Sequence, residues 1–264
     1  MTLIVRPGFQ FDTDASTYIE AVEVADAQAL ETATRYAIND FVIGCKQDGI
    51  WSAIKASCIL SGARTLSGAL IPLVGTAPTN VNFVSGNYNR KTGLGDASNT
   101  TKYLNSNRAA NADPQNNHHL AIHTTFVENR TEVRMGAQAS PWDNTITAIA
   151  TNVVYMIPRG PTSGASLEYS VSSSATLTGF CGASRTGATA LTHRIGGVTR
   201  GPFAQTSETP GAVNTFVFAR NANGTPTTYS TCRIAFYSIG ESLNLAALDA
   251  RVTALITAFG VAIP

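Results

Sequence analysis

The sequence predicts a mainly β protein: a two-sheet antiparallel sandwich with helices before and after it. Three observations carry this. Apolar residues recur at helical spacing up to about residue 78, alternate with period two from residue 79 onward, and return to helical spacing after Glu241-Ser242. Thr (33), Ser (20) and Asn (18) supply 71 of the 264 residues beside 22 Gly, a mixture that favours β-branched strands and tight turns. Hydrophobic residues still make up 44% of the chain, enough for a buried core, while only 13% are charged against about 25% in ordinary domains.

Taken in order, Asp14 to Asp48 reads as one long or two consecutive amphipathic helices. Ile19, Val22, Leu30, Ala33, Ala37, Phe41 and Cys45 lie on one stripe, with Asp12 or Asp14 as an N-cap and Asp26 able to cap a second helix. Asp48-Gly49 is a stop signal. A shorter helical patch follows, with Ile50, Trp51, Ile54 and Cys58 on one face, and Pro72, Gly75 and Pro78 end the region. Strands are predicted at 81–84, 102–104, 119–127, 132–138, 145–157, 175–181, 191–198, 215–220 and 232–239. Asn221-Ala-Asn-Gly224 reads as a hairpin turn. Leu245, Leu248, Val252, Leu255 and Phe259 then repeat at spacings of 3 and 4, a heptad-like seam that either joins subunits or packs one helix back onto its own chain. The seam between subunits is the reading adopted for these five residues. The predicted division is a helical attachment module over 1–78, the sandwich over 79–242 and a C-terminal helix over 243–264. Residues 1–48 are acidic and the remainder is basic by six charges, so the two regions differ in kind.

Net charge is +1 with no Lys/Arg cluster, which argues against nucleic acid as a partner, and no apolar run is long enough to insert in a membrane. Met1 to Gly8 has no basic region ahead of a sustained apolar stretch, so no signal peptide is expected. Cys45, Cys58, Cys181 and Cys232 form no C-x-x-C pair and read as buried free thiols. His118 and His119 point to opposite faces of a strand and His123 lies about 13 Å from His119, so no metal is expected there and the three read as partly exposed strand residues. No nucleophile elbow or phosphate-binding loop occurs. Glu128, Glu132, Asp143 and Glu168 are the carboxylates from which a glycosidase pair would have to come. No cofactor is expected; calcium is the one ion kept open, through Asp96, Asn99, Asn111 and Asp113. Tyr88, Trp142, Phe203 and Tyr229 sit in loop-like contexts where a ring could stack on a sugar.

Two stretches carry a family resemblance. Tyr88-Asn-Arg-Lys-Thr-Gly-Leu-Gly-Asp-Ala-Ser-Asn-Thr-Thr-Lys-Tyr-Leu104 is one, and Phe216-Val-Phe-Ala-Arg-Asn-Ala-Asn-Gly224 with Arg233-Ile-Ala-Phe-Tyr-Ser-Ile-Gly-Glu-Ser-Leu243 is the other. Both resemble virion-associated proteins of tailed bacteriophages that carry a concanavalin A-like, or laminin-G-like, jelly-roll. Over residues 80–243 the resemblance implies a jelly-roll β-sandwich in a non-enzymatic tail, fibre or baseplate protein that meets host surface polysaccharide. Other virion proteins and copies of the same chain are its implied partners, with assembly in the host cytoplasm. A capsid decoration protein, or a polysaccharide depolymerase, is the alternative. The resemblance supplies no catalytic residue.

Overall fold

The computed structural model describes residues 10–149, 153–162, 168–170 and 178–264. Met1 to Gly8, residues 150–152 of the strand predicted at 145–157 and residues 175–177 of the strand predicted at 175–181 lie outside them. In chain order the elements are α1 (Thr13–Asp26), α2 (Thr32–Gln47), β1 (Ile54–Ile59), the single turn α3 (Leu66–Ala69), β2 (Thr79–Val81), β3 (Tyr88–Asn89), β4 (Gly93–Gly95), β5 (Tyr103–Ala109), β6 (His118–Phe126) and β7 (Glu132–Ala139). There follow β8 (Trp142–Ile149), β9 (Val153–Pro161), β10 (Glu168–Ser170), β11 (Gly179–Arg185), β12 (Ala190–Ile195), β13 (Val198–Ala204), β14 (Asn214–Val217), β15 (Arg220–Ala222), β16 (Thr225–Thr227), β17 (Arg233–Gly240) and α4 (Leu245–Ala262).

Among the described residues the strands form two sheets. One runs β13-β12-β11-β6-β17-β4-β3, with β1 on β17; the other runs β10-β9-β8-β7-β14-β5-β2, with β15 and β16 attached to β7. All pairings are antiparallel except β15 on β7. This is the mainly β, antiparallel jelly-roll sandwich that the sequence predicted, with helices contributed by both ends. Its interior holds Leu94, Leu120, Ile122, Met135, Ile146, Met156, Cys181 and Ile234 from the facing sheets. A second core lies on the outer side of the first sheet, where Ala121, Phe180 and Phe236 meet Ile19, Val22, Phe41 and Cys45 of α1 and α2 and the apolar side of α4.

That third layer corrects several expectations. Of the module predicted over 1–78, the described residues 10–78 are not set apart from the sandwich: β1 pairs with β17 from Ile54↔Gly240 to Ile59↔Phe236, and α1 and α2 share a core with the sheet. Ile54 to Cys58 is strand rather than helix, because β1 is buried on both faces and carries no clean alternation for sequence reading to detect. The helical stripe of α2 is Thr34, Ile38, Phe41, Val42 and Cys45; Ala33 is exposed. Asp12 caps α1, accepting from the Asp14 N–H at 3.0 Å, but Asp26 does not cap α2. Its carboxylate instead accepts from the N–H groups of Arg64 and Thr65 at 2.6 and 2.8 Å and from the Thr65 hydroxyl at 2.6 Å. Glu31 precedes α2 and takes both Arg90 and Arg64, and the bonds from Arg90, against the cost of burial, hold its carboxyl down at about 2. The hairpin at Asn223-Gly224, both at positive φ, joins β15 to β16.

The seam of Leu245, Leu248, Val252, Leu255 and Phe259 is buried within its own chain, each residue at most 3% exposed. These side chains therefore fill the core between α4, α2 and the first sheet, and the seam is not a free surface between subunits. Arg194 to Asp249 (2.6 Å) and Arg251 to Asp48 (2.8 Å) fix α4 on β12 and on the end of α2. Asn244 begins the helix by accepting from the N–H groups of Ala246 and Ala247. Asn244→Ala removes that cap, and chemical denaturation should show a loss of about 1 kcal/mol.

The histidines are also more buried than predicted. His118 and His119 are wholly enclosed and His123 nearly so, since one face of β6 meets the other sheet and the opposite face meets the helical layer. The four cysteines are buried free thiols.

Candidate functional site

The residues put forward from sequence do not converge. Trp142 is 4% exposed and packs with Ala110 and Ala137, its indole against Gly211. Tyr88 is half-buried and its hydroxyl donates to the Ala63 carbonyl at 2.8 Å. Phe203 lies on the edge strand β13, 5.2 Å from the His193 ring and packed on the sandwich core. Tyr229 stands 6.4 Å from Tyr103, which in turn stacks on Phe216 at 4.5 Å. Trp142 is thus a core residue; the other three rings belong to separate neighbourhoods.

Of the four residues named for calcium, Asp96, Asn99 and Asp113 are engaged within the chain. Asp96 accepts from Lys102, Ser98 and Asn87, and the Lys102 ammonium holds its carboxyl at about 2. Asn99 bridges the 99–102 turn to Ser230, Asp113 is paired with Arg108, and Asn111 is exposed. Among the described residues, no three His, Cys, Asp or Glu side chains converge as a metal site.

Of the carboxylates, Glu128 and Glu132 do approach one another, since both accept from the Thr231 hydroxyl, at 3.0 and 3.3 Å. Glu132 is wholly buried, with one oxygen on Arg134 at 3.2 Å and the other on the Thr231 N–H at 2.8 Å, so it holds the strand ends together and reaches no substrate. Asp143 is buried on β8 beside Gln138, and its burial raises the carboxyl to about 6. Glu168 lies on β10, paired with Tyr155 of β9.

What the fold does assemble is a cleft of about 420 Å³ at one end of the first sheet, lined by Thr92, Gly95, Asp96, Ala97, Thr125, Phe126, Thr231 and Arg233. Four segments meet there: the β3–β4 turn, the segment following β4, the end of β6 and the start of β17. Their meeting depends on the close approach of β4 to β17. Gly93 has φ +92°, and a Cβ on it would lie 2.3 Å from the Ile234 carbonyl oxygen, so only glycine fits. Arg233 then turns back over β4, donating to the carbonyls of Gly93 (2.6 Å), Asn87 (3.1 Å) and Gly95 (3.3 Å), and forms a fixed cationic wall. Thr125 donates to the Thr92 carbonyl, and Thr231 is held by the two glutamates. The Thr125 hydroxyl keeps acceptor lone pairs toward the cleft, while Thr231, 1% exposed, backs the wall from within. Phe126 stands at the rim with 45% of its surface exposed, whereas Phe41, Phe83, Phe180, Phe218, Phe236 and Phe259 line the cores. An open apolar ring beside positioned hydroxyls, a carboxylate and a guanidinium offers both faces of the chemistry that a sugar presents: C–H on one side and hydroxyls at the edge.

No family model matches the chain, and no curated protein matches it. Solved structures do. A mutant Trypanosoma rangeli sialidase with trans-sialidase activity is 9% identical over 84% of this chain and 39% of its own, with a TM-score of 0.47. The botulinum neurotoxin serotype D binding domain is 11% identical over 76% of this chain and 51% of its own, with a TM-score of 0.48. Domain 4 of a GH43 extracellular arabinanase from Geobacillus stearothermophilus, in complex with arabinotriose, is 11% identical over 67% of this chain and 82% of its own, with a TM-score of 0.36. The chain spans about two fifths of the sialidase and half of the neurotoxin chain.

In the sequence Asp96 reads as a calcium candidate and Arg233 enters only within the resemblance. Phe126 was missed, because an apolar residue closing the β6 pattern reads as one more core position. The available signal was the switch to Glu-Asn-Arg-Thr immediately after Val127.

Proposed function

We propose that this protein is a non-enzymatic glycan-binding component of a tailed-phage virion, whose cleft at Phe126 takes a sugar ring of host surface polysaccharide. The observation that carries the reading is the exposed Phe126 ring set beside Asp96, Thr125, Thr231 and Arg233. The virion part of the reading rests on the resemblance carried by 88–104, 216–224 and 233–243, which implies a tail, fibre or baseplate component. A shallow cleft of this kind binds weakly, and many copies on one particle would supply the avidity.

The test is retention of the purified protein on a panel of bacterial capsular and O-antigen polysaccharides, compared with Phe126→Ala. At least one polysaccharide should be retained, and the variant should bind about tenfold more weakly, the order of one stacking contact. Retention should leave no new reducing ends. Antibody labelling of purified particles should mark the tail; uniform label over the head would favour capsid decoration. Equal binding by Phe126→Ala would place the sugar elsewhere, and no retention on any polysaccharide would overturn the glycan reading.

A further inference from the structure

A second ring is presented differently from the rest of the core. Trp51 lies in the single 3₁₀ turn before β1, half-buried, and two depressions meet at it. One, of about 420 Å³, is lined by Asp14, Thr17, Tyr18, Ala21 and the run Ile71 to Val74; the other, of about 270 Å³, by Lys46, Gly49 and Ser52. The indole N–H donates to Asp14 Oδ2 at 3.1 Å, and the Lys46 ammonium sits 2.6 Å from both Asp12 and Asp14 and 5.7 Å from the ring centroid. The ring is thereby fixed before any ligand arrives, which lowers the ordering cost of binding.

We infer that Trp51, with Asp14 and Thr17, is a second sugar-binding subsite, selective for neutral or amino sugars over acidic ones. The inference rests on the glycan reading above. The groove supplies an apolar floor at Ile71, Pro72 and Leu73. Its rim supplies acceptors: Asp14 has a carboxylate side chain 51% exposed, and the exposed Thr17 hydroxyl donates inward to the Thr13 carbonyl, so its lone pairs face outward. An apolar floor with an acceptor edge suits a ring that shows C–H groups below and O–H donors at the side. Lys46 is already engaged by two carboxylates, leaving the Asp12, Asp14 and Lys46 group with a net charge of −1, which repels a uronic or sialic acid.

The placement also fits one polysaccharide touching both sites. Trp51 precedes Ile54, which pairs with Gly240 at one end of β17, while the Phe126 cleft lies at Arg233, the other end. Seven residues of strand separate these ends by roughly 23 Å.

The chain has two tryptophans and Trp142 is buried, so Trp142→Phe leaves Trp51 as the sole indole reporter. The experiment titrates that protein with oligosaccharides cut from the polysaccharides the panel retains. Neutral or amino-sugar fragments should change Trp51 emission saturably, also in the Phe126→Ala background, and acidic fragments should not. Asp14→Ala, a surface change, should weaken this response about tenfold, and Trp51→Phe should weaken retention while thermal unfolding shows the fold intact. Retention with no change in Trp51 emission and no effect of Asp14→Ala overturns the second subsite and leaves the Phe126 cleft standing. A response to acidic fragments alone overturns the selectivity. Absence of retention on every polysaccharide overturns both sites.

Discussion

Lowering the pH from 7 to 4 should unfold this protein cooperatively, with most of the loss above pH 4. Four histidines are enclosed in the fold and kept neutral there, chiefly by burial: His118, His123 and His193 are pushed down to about 4 and His119 to about 3. In the unfolded chain each titrates near 6.5. Between those values the unfolded chain binds more protons than the folded one, so stability falls as pH falls through that window. Each histidine contributes about 3 kcal/mol to the loss by pH 4. One group acts the other way. Asp143 is raised to about 6 by its burial, so the folded state keeps a proton that the unfolded chain releases above about 3.9. Acid therefore favours folding at Asp143 and offsets about one histidine. The balance is a loss of about 9 kcal/mol, comparable to the whole stability of a typical domain. Below pH 4, Glu31 and Asp96, both held at about 2 by their cationic partners, extend the loss further. Circular dichroism against pH should show a midpoint between 4 and 6. His119→Asn, which keeps hydrogen-bonding capacity toward the Glu241 carbonyl and Ser238 hydroxyl without a titrating ring, should move the midpoint down. A flat signal to pH 3.5 would show that protons reach these rings without unfolding.

The same enclosure explains which parts of the fold were legible in the sequence. The α1, α2 and α4 segments each face a core on one side and water on the other, so their period of 3.6 is written in the residues. The strand β7 was legible because turns bound it, whereas 145–157 reads as one strand and the fold divides it into β8 (Trp142–Ile149) and β9 (Val153–Pro161). β1 was not legible, since both its faces are buried, and β13 was not, since almost every residue in Val198–Ala204 is exposed and Gly201-Pro202 breaks the pattern. The spacing of Leu245 to Phe259 specified an apolar stripe but not what covers it; the register of β17 and the position of α2 decide that. The candidate site was least legible. Its walls come from residues 92–97, 125–126 and 231–233, and only the strand order β6-β17-β4 makes neighbours of them. Aromatic type alone could not separate Phe126, at the open end of β6, from Trp142, which the second sheet encloses.

Behind the cleft, Glu132→Ala should destabilise the protein by about 3–5 kcal/mol and also weaken glycan retention. Glu132 and Arg134 are both wholly buried and paired at 3.2 Å, and truncating Glu132 removes a carboxylate from beside a buried guanidinium. The loss has a second part, because the Thr231 N–H gives 2.8 Å to the same carboxylate and would lose its acceptor in a dry environment. Thr231 stands on the wall of the Phe126 cleft, so its displacement should carry to binding, whereas a change confined to the core would not. The double variant Glu132→Gln/Arg134→Met separates the two effects. It removes both charges, leaves an amide oxygen for the Thr231 N–H, and should recover most of the stability and most of the retention. Urea denaturation gives the first quantity and the polysaccharide panel the second. If Glu132→Ala costs under 1 kcal/mol, the buried pair does not anchor this end of the sandwich. If it costs the full amount and retention at saturating folded protein is unchanged, Thr231 has no part in the binding wall.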